Sequence, residues 1–167
     1  MFKIGSSNYE DKEQFYKELA EFYTTMVEGD SDWLAGIANG AALLYQLLPE
    51  INWAGFYLFK EGQLVLGPFQ GKPACIRIQL GKGVCGTAAK EGKTRVVPDV
   101  HLFPGHIACD EASRSEIVVP VLLGERLIGV LDIDSPVPGR FDGEDARGLE
   151  KLVEIINQHL QWPEKFC

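Results

Sequence analysis

The sequence has little that would suit a membrane, a nucleic acid or a compact metal centre. No apolar run reaches the roughly 20 residues that a membrane-spanning helix needs. The opening MFKIGSSNYEDKEQ has no apolar stretch of the kind a secretory leader carries, so a cytoplasmic location is expected. Basic residues are in the minority: 16 Lys and Arg against 24 Asp and Glu leave a net charge of −8. That balance argues against nucleic acid or an anionic membrane as partner, and tolerates a cationic or zwitterionic small ligand. The four cysteines include no C-x2-4-C pair. Reading Cys75, Cys85 and Cys109 with His101 or His106 as a zinc site is therefore disfavoured, and no metal or cofactor is expected. In a reducing compartment these cysteines are expected to be free, catalytic or metal-bound, not structural disulfides. The histidines have no Ser or Cys partner at a recognisable catalytic spacing. Repeats, linkers and low-complexity stretches are missing too, and 46% hydrophobic content can fill a sizeable core. Residues 1–167 read as one domain.

What is present is a regular alternation of helical and strand patterns. Phe15, Leu19, Phe22 and Met26 recur at helical spacing, predicting a helix from about Asp11 to Met26 that Gly29 ends. Asp30 or Ser31 can cap a second helix through Trp33, Leu34, Ile37, Ala41, Leu44 and Leu48, stopped by Pro49. NWAGFYLFKEGQLVLGPFQG reads as a hairpin turning at Lys60-Glu61-Gly62, and Cys75 opens a third strand, CIRIQL. GKGVCGTAAKEGK predicts a glycine-rich turn and a short helix closed by Gly92. A strand near Thr94–Val97, a loop from His101 to Ala112, a long hairpin and a helix from Asp142 complete the chain. Six strands joined mostly by hairpins, with helices at both termini, predict an α+β domain around an antiparallel sheet.

The chemistry concentrates between His101 and Ser135. Asp132 and Asp134 are two apart on a predicted strand and share a face. If the hairpin loop around Gly124-Glu125-Arg126 holds three residues, Leu123 pairs with Leu127 and Glu116 falls opposite Asp134. A two-residue loop puts Glu116 opposite Ile133 and scatters the acids. Carboxylates crowded on apolar strands are costly unless a cation or a proton accompanies them, so the cluster reads as a site. Trp53 and Tyr57, four apart on a strand, share a face and serve equally well as core or as the wall of a ligand pocket. Among the cysteines, local chemistry favours Cys85, at a helix N-terminus whose dipole supports a thiolate. Asp110 and Glu111 would raise the pKa of the neighbouring Cys109.

The blocks Trp53-Ala54-Gly55-Phe56-Tyr57, GPFQGKPACIRI, GKGVCGTAA, VPDVHLFPGHIACD, SEIVVP and LDIDS resemble, in order and spacing, a GAF domain of the free methionine-(R)-sulfoxide reductase family. The resemblance covers nearly the whole chain. It implies that Cys109 is the nucleophile, Cys75 its main resolving partner, and Cys85 able to join the thiol relay, which overrules the local preference for Cys85. It further implies that Glu116, Asp132 and Asp134 bind and polarise the substrate and that Trp53 and Tyr57 wall the pocket. Free L-methionine-(R)-sulfoxide is the implied substrate and thioredoxin the implied reductant, and the GAF resemblance suggests a homodimer. The competing class is a ligand-binding regulatory GAF module. FDGED matches the cyclic-nucleotide motif of such modules only in part, and an acidic pocket would repel a phosphate.

Overall fold

The computed structural model describes residues 9–105 and 110–166. Their elements run α1 (Lys12–Val27), α2 (Trp33–Leu47), β1 (Trp53–Lys60), β2 (Gln63–Gly71), β3 (Arg77–Gln79), α3 (Gly83–Glu91), β4 (Arg95–Val97), β5 (Ser115–Leu123), β6 (Arg126–Ser135) and α4 (Gly143–His159). A 3-10 turn at Val100–Leu102 follows β4. The strands form one six-stranded antiparallel sheet in the order β3-β2-β1-β6-β5-β4. This is the α+β architecture expected from the pattern, with helices contributed by both ends of the chain. No helix among the described residues is long and apolar enough to cross a membrane.

Side-chain caps set the helix starts. Asp11 accepts from the Gln14 amide and Asp32 from the Ala35 amide, while Asp142 and Asp145 form a reciprocal capping box on α4. The cap of α2 is thus Asp32, not Asp30 or Ser31. Asp30 instead accepts from the Asp32 amide and shapes the turn before the helix. The third strand is also shorter than expected, because pairing with β2 begins near Ile76 and leaves Cys75 outside the ladder.

Period-two alternation gives the sheet two apolar faces. Ala54, Phe56 and Leu58 of β1, Ile117, Val119 and Val121 of β5, and Leu131 and Ile133 of β6 meet the helices α1, α2 and α4. Burying an aliphatic side chain of this size contributes about 1.5–3 kcal/mol, so this face supplies most of the apolar stabilisation. The opposite face carries Trp53, Tyr57, Val118 and Val130 and is covered by α3 through Val84, Cys85, Ala88 and Ala89. α1 and α4 are joined by a buried polar cluster, in which Asp145 accepts from the Tyr16 hydroxyl and from Lys12 Nζ, both at 2.8 Å.

The long hairpin decides which residues reach the α3 face. Its loop holds two residues, Gly124 and Glu125, because Leu123 pairs with Arg126. Gly124 has φ 62°, a conformation that costs other residues about 1–2 kcal/mol. The Leu123–Leu127 pair of a three-residue loop is therefore not made, yet Glu116 does lie opposite Asp134. A β-bulge at Ile128 restores the register: Leu122 pairs with Leu127, but Val121 pairs with Gly129. Burial records the same shift, since Ile128 joins the helix-side core while Val130 lies on the other face.

Candidate active site

Register across three strands builds the floor of the site. Glu116 lies opposite Asp134, which lies opposite Trp53; Val118 lies opposite Asp132, which lies opposite Gly55. Directly paired residues share a face, so three carboxylates and the aromatic pair converge under α3. The pocket above them is lined by Trp53, Tyr57, Glu116, Asp132 and Asp134 from the sheet, Cys85 and Lys82 from the α3 end, and Lys72, Asp110 and Ser113 from loops.

The aromatic pair serves as both core and wall. Trp53 and Tyr57 are nearly inaccessible, their rings are stacked with centroids 6.0 Å apart, and Phe69 also stacks on Trp53 at 5.2 Å. Their polar ends are equally occupied. Trp53 Nε1 donates to the Lys72 carbonyl at 3.1 Å and the Tyr57 hydroxyl to the Cys75 carbonyl at 3.0 Å. Both rings thereby hold the segment that carries Cys75 against the pocket. Gly55 between them must be small, because a Cβ there would lie 2.7 Å from the Trp53 ring and 2.3 Å from Phe69 Cβ.

The carboxylates are held away from their usual ionisation. Burial, then the charges of Asp132 and Asp134, push Glu116 well above the ordinary range. Burial likewise raises Asp132, to about 6, and burial with the charges of Asp132 and Asp110 raises Asp134. Asp132 Oδ1 is buried and has no hydrogen-bond partner among the described residues. The floor thus combines carboxyls pushed toward their protonated form with an Asp132 oxygen that has no partner among the described residues.

The cysteines separate clearly. Cys85 is a free, buried thiol whose Sγ is 3.8 Å from Glu116 Oε1. Burial and the charges of Asp132 and Glu116 push it well above the usual thiol range, so the helix-dipole argument for a Cys85 thiolate fails. The reason is one of size. A helix N-terminus offers about half a charge and 0.3–1 kcal/mol, whereas full burial can shift an ionisable group by up to about 3–5 pKa units and the neighbouring acids add to it. Cys75 is half-buried and disulfide-bonded, and its partner is not Cys85. Cys109 and His106 lie outside the described residues. Asp110, which the sequence places beside Cys109, has its carboxylate held below the usual range by the Ala112 amide, Asn52 and Lys72.

Sequence reasoning missed the residues that organise the rim. Asn52 Nδ2 donates to Asp110 Oδ2 and to Ser113 Oγ, both at 3.1 Å, and Lys72 Nζ lies 3.4 Å from Asp110 Oδ1. Lys82 is the N-cap residue of α3, an end with no side-chain cap. Nothing in the local pattern distinguishes these residues from ordinary surface polar groups.

A sequence profile of the GAF domain matches residues 35–161. The free methionine-R-sulfoxide reductase of Escherichia coli K12 is 54% identical over 150 residues, covering 90% of this chain and 91% of that protein. The chain belongs to the GAF-domain family of free methionine-R-sulfoxide reductases. The family enzyme of Saccharomyces cerevisiae is 45% identical over 163 residues, with 93% of this chain and 91% of that protein covered. The X-ray structure of the Neisseria meningitidis free methionine-R-sulfoxide reductase, in complex with its substrate, superposes with a TM-score of 0.90 at 44% identity, over 95% of each chain. The sequence resemblance and the architecture therefore agree on one family.

Proposed function

We propose that this protein reduces free L-methionine-(R)-sulfoxide to methionine in the pocket between α3 and the sheet. The observation that carries the reading is the convergence of Glu116, Asp132 and Asp134 beside the Trp53–Tyr57 wall and the Cys75 segment. A sulfoxide sulfur becomes electrophilic when its oxygen takes a proton or a strong hydrogen bond. Glu116, whose carboxyl is pushed well above the ordinary range by burial and its acidic neighbours, is the group we assign to give it. The open oxygen of Asp132 suits the α-ammonium of a free amino acid, and Lys82 at the α3 N-terminus gives the α-carboxylate a positive counterpart. A peptide-bound residue lacks both charges, which favours the free amino acid as substrate.

In this reading the Cys109 thiolate attacks the sulfoxide sulfur. Sulfur is reduced to the thioether, Cys109 takes the oxygen as sulfenic acid, and methionine leaves. The Cys75 thiol then condenses with the sulfenic acid, releasing water and forming a disulfide. An external dithiol such as thioredoxin reduces that disulfide. Cys75 is half-buried and so within reach of a reductant, while the buried Cys85 thiol is a secondary resolving group. The protein acts in this scheme as a cytoplasmic enzyme, and a homodimer is its proposed assembly.

Incubation with resolved methionine sulfoxide diastereomers and dithiothreitol, followed by chiral product analysis, tests the proposal. Methionine should form from the (R) diastereomer alone. Equal consumption of both diastereomers, or none of either, would overturn it, and binding of the sulfoxide without turnover would leave a ligand-binding module instead.

A further inference from the structure

The pocket floor offers a second chemistry that sulfoxide reduction does not use. Cys85 Sγ, a carboxylate oxygen of Glu116 and one of Asp132 all lie within 4.8 Å of one another. A tetrahedral zinc ion with bonds of about 2.3 Å to sulfur and 2.0 Å to oxygen holds such donors about 3.5 Å apart. The Cys85 Sγ to Glu116 Oε1 separation is already 3.8 Å, so side-chain rotation of a few tenths of an ångström closes it. Independently, Asp132 Oδ1 is buried, faces this pocket and has no hydrogen-bond partner among the described residues, leaving one donor ready for a cation. The three come from different elements: Cys85 from the first turn of α3, Glu116 from β5 and Asp132 from β6. They are therefore held in place by the fold.

We propose that Cys85, Glu116 and Asp132 form a binding site for a thiophilic divalent cation such as Zn2+ or Cd2+, and that the bound ion excludes the amino-acid substrate. One thiolate and two carboxylates form a donor set that such borderline-soft cations accept, whereas Mg2+ or Ca2+ would demand oxygen ligands alone. Binding requires all three groups to lose their protons, so protons pass to solvent as the ion enters. The three donors line the pocket floor itself, so an ion held by them occupies space the amino acid needs. The site is inhibitory, not structural. It differs from the sequence-level zinc reading in using Cys85 alone among the cysteines, together with acids far away in the sequence.

The ion-binding arm of the test does not depend on the proposed activity. The full-length protein, in the oxidised form that keeps Cys75 in its disulfide, is titrated with cadmium chloride while the ultraviolet thiolate-to-cadmium charge-transfer band and proton release are followed. One equivalent should bind with the band. Cys85→Ser should abolish the band, and Asp132→Asn or Glu116→Gln should weaken binding at least tenfold. The two acid variants keep the test decisive if Cys85→Ser fails to fold. A band that survives in Cys85→Ser, no band in the wild type, or unchanged affinity in both acid variants would overturn the proposal. The competition arm rests on the proposed function. Zinc should raise the apparent KM for the sulfoxide without lowering kcat, and a chelator should restore the original KM. Tight cadmium binding to a protein with no reductase activity would sink the functional reading alone.

Discussion

Replacing Asp132 by asparagine should make this protein more stable while damaging the site. Asp132 is buried beside two other raised carboxyls, and its pKa stands at about 6 against an ordinary value of 3.8. Between those values the native state holds a proton that the unfolded chain has released. Stability therefore falls as pH rises through the window from about 4 to 6 and stays lower above it. At 1.36 kcal/mol per pKa unit, a charged Asp132 lowers stability near pH 8 by on the order of 3 kcal/mol, an upper bound because its neighbours relax when it ionises. An asparagine keeps the shape, removes the charge, and can donate from its amide to Glu116. With 1 kcal/mol shifting Tm by about 2–4 °C in a chain of this size, the gain at pH 8 should be several degrees. The assay is thermal and urea unfolding of wild type and Asp132→Asn at pH 5 and pH 8. The variant should gain at pH 8 and keep only about half of that gain at pH 5, where the unfolded Asp132 is already ionised but the native one is not. A variant less stable than wild type at pH 8, or a difference that ignores pH, would refute the electrostatic account of the cluster.

The remaining predictions concern roles and packing. Cys109→Ser should release no methionine in a single turnover, while Cys75→Ser should release about one equivalent and then slow as sulfenic acid, which peptide mapping with a sulfenic-acid reagent locates. A burst that survives in Cys109→Ser but vanishes in Cys85→Ser would reverse these assignments. Single amide replacements of Glu116, Asp132 and Asp134 should each lower kcat/KM by roughly ten- to a thousandfold, and double replacements by less than the product; full additivity would mean the acids work separately. N-acetylated methionine sulfoxide should be a poor substrate in the same assay, and comparable turnover would remove the argument from the acidic pocket. Gly129→Ala should destabilise by about 1–3 kcal/mol or more in urea unfolding, because its Cβ would lie 2.0 Å from the Tyr57 carbonyl oxygen in the neighbouring strand.

Local pattern alone determined the elements: the helical stripe of Phe15 and Leu19, the period-two runs of β1, β5 and β6, and the Gly92 cap, whose φ is 61°. It also made the acidic cluster visible, since Glu116, Asp132 and Asp134 break apolar strands where charge is costly. The motif blocks brought the family within reach before any coordinates. Three matters were settled only in three dimensions. The hairpin loop has two residues, the case that by itself scatters the acids, and a bulge at Ile128, which no propensity marks, puts Glu116 back opposite Asp134. Cys85 looked like a thiolate because its helix is local in sequence, whereas the burial against the sheet and the carboxylates of β5 and β6 that raise its pKa come from some 30 to 50 residues away. Lys72, Lys82 and Ser113 came to line the pocket, and Asn52 to bind Ser113 at its rim, only when distant segments met. Propensity and periodicity act over a few residues and can be read from the chain. A pKa or a ligand-binding surface is set by whatever charge and burial the fold brings within a few ångströms.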